Sequence, residues 1–148
     1  MIRRKLLRIN EIEKKVDDII SSLEIIEANL PEELEDFLSM GLTRDGLYKK
    51  VEFCIESLID ICNIINSDLR FGIPETEEGI IENMRKNNIF TEKSINILKK
   101  IKGFRNILVH KYGDINDSLA FEIIEEGLKD FELIIKEIEV FIVKHKKN

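Results

Sequence analysis

Apolar residues recur at three- and four-residue intervals along almost the whole chain, and that period leaves little choice but helices packed on one another. Residues 2 to 28 place Ile2, Leu6, Ile9, Ile12, Val16, Ile19, Leu23 and Ile26 on one stripe, which predicts a single long helix. Pro31 breaks it, and the following PEELEDFLS adds a short helix before Gly41. Thr43 reads as the N-cap of a second long helix to about Ser67. Its main stripe is Val51, Ile55, Leu58, Cys62, Ile65 and Leu69, and Phe53, Cys54, Ile61 and Ile64 add a second apolar flank. Such width predicts burial on more than one side.

NSDLRFGIPET reads as a loop through Gly72 and Pro74, held to the bundle by Leu69, Phe71 and Ile73. Thr76 then caps a short helix ending near Asn87 or Asn88, and Thr91 caps the next long one. Gly113 ends or distorts that helix. A last helix starts at Asn116, Asp117 or Ser118 and runs to about Lys144, with Leu119, Ile123, Ile124, Leu128, Phe131, Ile135, Ile138 and Ile142 inward. Nothing alternates with strand periodicity, and no repeat or low-complexity linker divides the chain. The expected fold is all-α: one domain over residues 1–148, an antiparallel up-and-down bundle of four long helices plus a short one.

The 148 residues are enough to bury a core without metal or disulfide support. No apolar run is long enough to cross a bilayer, and MIRRKLLRINEIEKK turns charged too early for a signal peptide, so a cytoplasmic protein is expected. Cys54 and Cys62 are eight residues apart on one helix, about 12 Å in rise, too far for a mutual disulfide. They read as buried free thiols, and with His110 and His145 as the two histidines no structural zinc or other cofactor is expected. His145 lies in the basic tail, where cations suit a helix C-terminus.

A net charge of -6 argues against indiscriminate nucleic-acid coating, but the charges are unevenly placed. From Lys93 to Lys111 there are six basic residues and no acidic one; from Asp117 to Glu139 there are eight acidic residues against Lys129 and Lys136. The arrangement suits either selective phosphate recognition or two helices attracting each other. Arg3, Arg4, Lys5 and Arg8 read first as a solvated helix end and second as a contact for RNA or a partner.

The chemically capable side chains concentrate in KKIKGFRNILVHKYGD, residues 99 to 114. Projected at roughly 100° per residue, Ile97, Ile101, Phe104 and Leu108 form the core stripe, while Lys99, Gly103, Asn106 and His110 share a polar face. Gly103 there leaves room for close approach by backbone or phosphate. Arg105 points roughly 140° away from His110 around the same helix. Either its side chain bends round, the helix deforms ahead of Gly113, or two copies share the site.

Arg105-Asn106-x-x-x-His110-x-Tyr112 resembles the Arg-x-x-x-x-His-x-Tyr signature of the HepT-like toxins, a minimal branch of the HEPN superfamily of helical ribonuclease domains. The likeness extends from about residue 40 to about 143. It takes in an Arg44-led helix with Glu56 and Asp60, a loop with Gly72 and Pro74, the motif helix, Asp114 and a last amphipathic helix. Glu56 and Asp60 are one turn apart, so either can orient Arg105 or His110 from a neighbouring helix or simply face solvent.

The resemblance implies a HEPN-like homodimer with a shared cleft and a metal-independent endoribonuclease. In that chemistry His110 acts as general base and takes the proton of a ribose 2′-hydroxyl. Arg105 offers a permanent charge to the phosphoryl oxygens, with Asn106, Lys99 and Lys102 in support. The 2′-hydroxyl requirement excludes DNA. The resemblance also implies a type VII-like toxin–antitoxin pair, in which a cognate minimal nucleotidyltransferase antitoxin attaches AMP to Tyr112. Two other readings remain open on the sequence: a non-catalytic subunit holding nucleotide or RNA for a partner transferase, and a purely structural helical dimer.

Overall fold

The computed structural model describes residues 6–147, apart from the side chain of Tyr112. Six helices follow in order: α1 (Ile9–Asn29), α2 (Leu34–Leu38), α3 (Leu42–Asp68), α4 (Glu77–Lys86), α5 (Glu92–His110) and α6 (Asp117–Lys147). A single 3₁₀ turn, Tyr112–Asp114, joins α5 to α6. Among the described residues there is no strand, as the period of the apolar residues predicted. The four long helices are α1, α3, α5 and α6, and the short links between successive helices reverse the chain into an up-and-down bundle.

The apolar width of α3 has the predicted consequence. Cys54, Ile55, Leu58, Ile61, Cys62 and Ile65 are all buried, and α3 packs against α1, α4 and α5. Around it the buried side chains of the other helices form one continuous core. Short α2 is pinned by Phe37, whose ring meets Tyr48 of α3 edge-on at 5.9 Å and Phe121 of α6 at 5.0 Å. The Tyr48 hydroxyl donates to Asp117 Oδ1 at 2.5 Å, so the first residue of α6 is fastened to α3.

The helix starts differ from expectation at two places, each for a physical reason. α1 begins at Ile9 rather than at residue 2. The Arg8 backbone N–H donates to Asp68 Oδ2 at 2.9 Å and its Nε to the same oxygen at 3.0 Å, so a buried carboxylate at the end of α3 holds the chain before the helix. Leu6 is consequently 84% exposed and Leu7, at 7%, takes the core position. Arg8 is thus an ion-pair partner rather than a free basic end, while Ile2, Arg3, Arg4 and Lys5 lie outside the described residues.

α3 starts at Leu42, capped at Gly41 instead of Thr43. Gly41 adopts φ 62°, a conformation glycine takes without strain, and its carbonyl accepts from the Arg44 N–H at 3.1 Å. Four residues expected inward, Leu6, Phe53, Ile73 and Leu119, are exposed. Ala120, Phe121 and Ile134 fill the α6 side of the core that Leu119 does not.

The α3–α4 connection sets where the first turn of α4 meets α5. Asn66 is buried; its Nδ2 donates to Gly72 O and its Oδ1 accepts from Asn83 Nδ2, both at 2.8 Å. The loop and the helix after it are therefore tied to one amide, which fixes where α4 lies. A Cβ at Gly79 would meet Pro74 Cβ at 3.0 Å, so the loop lies directly on the first turn of α4. The Thr76 hydroxyl caps that turn, accepting from the Gly79 N–H at 3.2 Å.

Candidate functional site

The motif helix α5 is anchored at its start by two acceptors. Thr91 Oγ1 accepts from the Ser94 N–H at 3.3 Å. Glu137 of α6 accepts from the Thr91 N–H at 2.8 Å, from the Thr91 hydroxyl at 3.2 Å and from the Ser94 hydroxyl. Ile97, Ile101, Phe104 and Leu108 are buried, as their stripe predicted. The helix then runs regularly to His110, where Lys111 N–H closes the last turn on Ile107 O at 2.9 Å and the 3₁₀ turn takes over. It stops three residues short of Gly113 rather than deforming at it.

Of the three routes that would bring Arg105 toward His110, the structure removes helix distortion, since α5 stays helical through His110. Arg105 Nη2 donates to the Oδ1 of its neighbour Asn106 at 2.8 Å. The same guanidinium is forked onto Glu77 of α4, Nη1 to Oε2 at 2.9 Å and Nη2 to Oε1 at 2.5 Å. That pairing raises the Arg105 pKa and holds the Glu77 carboxylate below its ordinary range. Glu56 and Glu52 add weaker negative potential at Arg105.

Lys102 is buried and its Nζ is paired with Glu78, the next residue of α4. Its ammonium therefore faces a carboxylate, where the sequence suggested a phosphate contact. Lys99 and His110 are exposed, Asn106 is partly exposed, and nothing lies within 4 Å of where a Cβ on Gly103 would be. The polar face is thus open along its length. Asp60 pairs with Lys15 of α1 at 3.5 Å and takes no part in holding the motif. Tyr112 begins the 3₁₀ turn directly after Lys111, but its side chain lies outside the described residues.

Glu77 and Glu78 were not singled out in the sequence. Two acids after a threonine cap serve the helix N-terminus in any protein, and that ordinary role hides the cross-helix one. The asymmetry of charge between α5 and α6 has a partly structural use, since Lys100 pairs with Glu126 at 3.2 Å. Both cysteines are free and buried, and burial pushes the Cys54 thiol to about 11 and Cys62 to about 12.

A family model described as Ribonuclease HepT-like matches residues 19–138, most of the chain and all of the site. The chain belongs to this family. An mRNA nuclease HepT of Shewanella oneidensis is 33% identical to this HepT-like chain over 96 residues, 65% of this chain and 72% of the relative. A tRNA nuclease HepT of Aphanizomenon flos-aquae is 29% identical over 111 residues, 74% and 75% of the two. Among solved structures, the tri-AMPylated Shewanella oneidensis HEPN toxin in complex with MNT antitoxin superposes with a TM-score of 0.80 at 28% identity. That match covers 88% of this chain and 97% of the other. The helical HEPN fold expected from the motif is the fold observed.

Proposed function

We propose that this HepT-like chain is a metal-independent endoribonuclease toxin acting in the cytoplasm, with RNA as substrate and a minimal nucleotidyltransferase as its antitoxin. The observation that supports the reading is a Ribonuclease HepT-like chain whose motif helix holds the Arg105 guanidinium between Glu77 and Asn106 and ends in an exposed His110. A fixed guanidinium and a titratable imidazole are what cleavage at a 2′-hydroxyl needs, and α5 carries both residues.

In the proposed reaction His110 removes the 2′-hydroxyl proton and the 2′-oxygen attacks the adjacent phosphorus. The bond to the 5′-oxygen breaks as that oxygen takes up a proton, leaving a 2′,3′-cyclic phosphate and a 5′-hydroxyl end. Arg105 stabilises the charge gathering on the phosphoryl oxygens. Asn106, with Oδ1 engaged by Arg105, keeps its Nδ2 hydrogens for the phosphate, and exposed Lys99 attracts the backbone.

Two copies facing across their α5 helices form the working unit. Exposed Ile107 and Val109, which lie outside the buried core stripe of α5, supply apolar area for such a pairing. Tyr112, one residue beyond the helix cap, is the proposed AMP acceptor; AMP there adds negative charge and bulk beside His110 and competes with RNA phosphate. Incubation of the purified protein with RNA tests the reading: 2′,3′-cyclic phosphate ends should appear, and a His110→Ala protein of unchanged helicity that cleaves equally well removes its basis.

A further inference from the structure

The geometry points to Glu77 as a positioning residue for RNA cleavage: it sets the plane and reach of the Arg105 guanidinium that the phosphoryl group meets. This rests on the ribonuclease reading above. Arg105 leaves α5 on a side roughly 140° from His110, and an arginine side chain has enough freedom to point almost anywhere. In the structure two acceptors from different elements take that freedom away. Glu77 accepts one hydrogen from each terminal nitrogen, at 2.9 and 2.5 Å, and Asn106 accepts the second Nη2 hydrogen at 2.8 Å.

Three of the five guanidinium N–H groups are thus committed, and among the described residues no acceptor engages Nε–H or the second Nη1 hydrogen. These two lie on opposite edges of the guanidinium, so a phosphoryl oxygen meets one of them at a time, in a direction the fork fixes. The anchor is itself built in: Asn66 fixes the loop, Thr76 caps the helix, and Glu78 next door is paired with Lys102 of α5. The first turn of α4 is in this way fastened to α5 at two successive carboxylates. A bidentate carboxylate also specifies orientation, which a lone charge does not.

The test is steady-state cleavage of a short RNA by wild type, Glu77→Ala and Glu77→Gln, with Glu75→Ala as a protein that loses the same charge in the exposed loop two residues away. Circular dichroism confirms that each is folded. Glu77→Ala should lose about tenfold to a hundredfold in kcat with KM changed by less than about threefold. Glu77→Gln, which keeps one acceptor oxygen, should regain part of the loss, and Glu75→Ala should match wild type.

A second readout is insensitive to how much protein is folded: the ratio of rates on the two phosphorothioate diastereomers of the scissile linkage. A guanidinium held in one direction discriminates between them, so the ratio should move toward unity in Glu77→Ala and lie between in Glu77→Gln. Wild-type kcat and an unchanged ratio in both Glu77 variants overturn the assignment while leaving the nuclease intact. A wild-type protein that does not cut RNA overturns the nuclease reading and the assignment together.

Discussion

Around Arg105 the distances decide between two roles for a charge. A guanidinium forked onto a carboxylate and bonded to a neighbouring amide is oriented, whereas one reaching into solvent would serve only as a diffuse attraction. Arg105→Lys keeps the charge but cannot make the fork, so cleavage should fall about a hundredfold in single-turnover assays while the helical signal is unchanged. The clamp also has a pH window. Both carboxylates titrate below the ordinary 4.5, Glu77 chiefly through its hydrogen bonds from Arg105 and Glu78 chiefly through that from Lys102. A group whose pKa is lowered by folding contributes stability that is present above its unfolded value and lost as pH falls through the folded one. The clamp is therefore whole at neutral and mildly acid pH, and a carboxyl-carbon NMR titration of Glu77 should give a midpoint below 4.5; a midpoint at or above that value contradicts the pairing. Cys54 and Cys62, pushed up to about 11 and 12 by burial, should resist alkylation at pH 8 until the protein is unfolded, which a thiol-counting assay reads directly.

At the scale of helices, most of the bundle was legible because burial imposes a period that needs no partner to be read. The stripes of α3 and α5 are buried where the intervals placed them, and the caps at Thr76 and Thr91 are used. What escaped were contacts made by residues far apart in sequence. The start of α1 is set by Asp68, sixty positions from Arg8, and Arg105 is set by Glu77, twenty-eight positions away. No interval within one helix encodes either. Arg105, Asn106 and His110 were legible as a string; the carboxylates that meet Arg105 and Lys102 were not, since acids at a helix start have a sufficient local reason to be there. Glu137 is a further long-range cap, serving Thr91 and Ser94 from α6. Glu137→Ala should cost about 1–2 kcal/mol, a drop in Tm of roughly 3–8 °C by calorimetry. No change in Tm would show that α5 starts equally well without it.

Assembly and control belong to the whole molecule. Among the described residues no helix is long and apolar enough to cross a membrane, and the exposed apolar side chains nearest the site are Ile107 and Val109 on α5 itself. A charge at that position, Val109→Glu, should convert a dimer of 17.3 kDa chains to monomer in light scattering and reduce cleavage with it; an active monomer would contradict a shared cleft. Co-expression with a nucleotidyltransferase encoded alongside should add the mass of one or more AMP groups to the intact chain, and Tyr112→Phe should remove the addition. The chemistry of the cut tests the central claim most directly. Wild-type protein given an RNA with one 2′-deoxy position should cleave elsewhere but not after that nucleotide, leave 2′,3′-cyclic phosphate ends, and lose this activity in both Arg105→Ala and His110→Ala. Cleavage after the 2′-deoxy nucleotide, or undiminished cleavage by either folded variant, contradicts it.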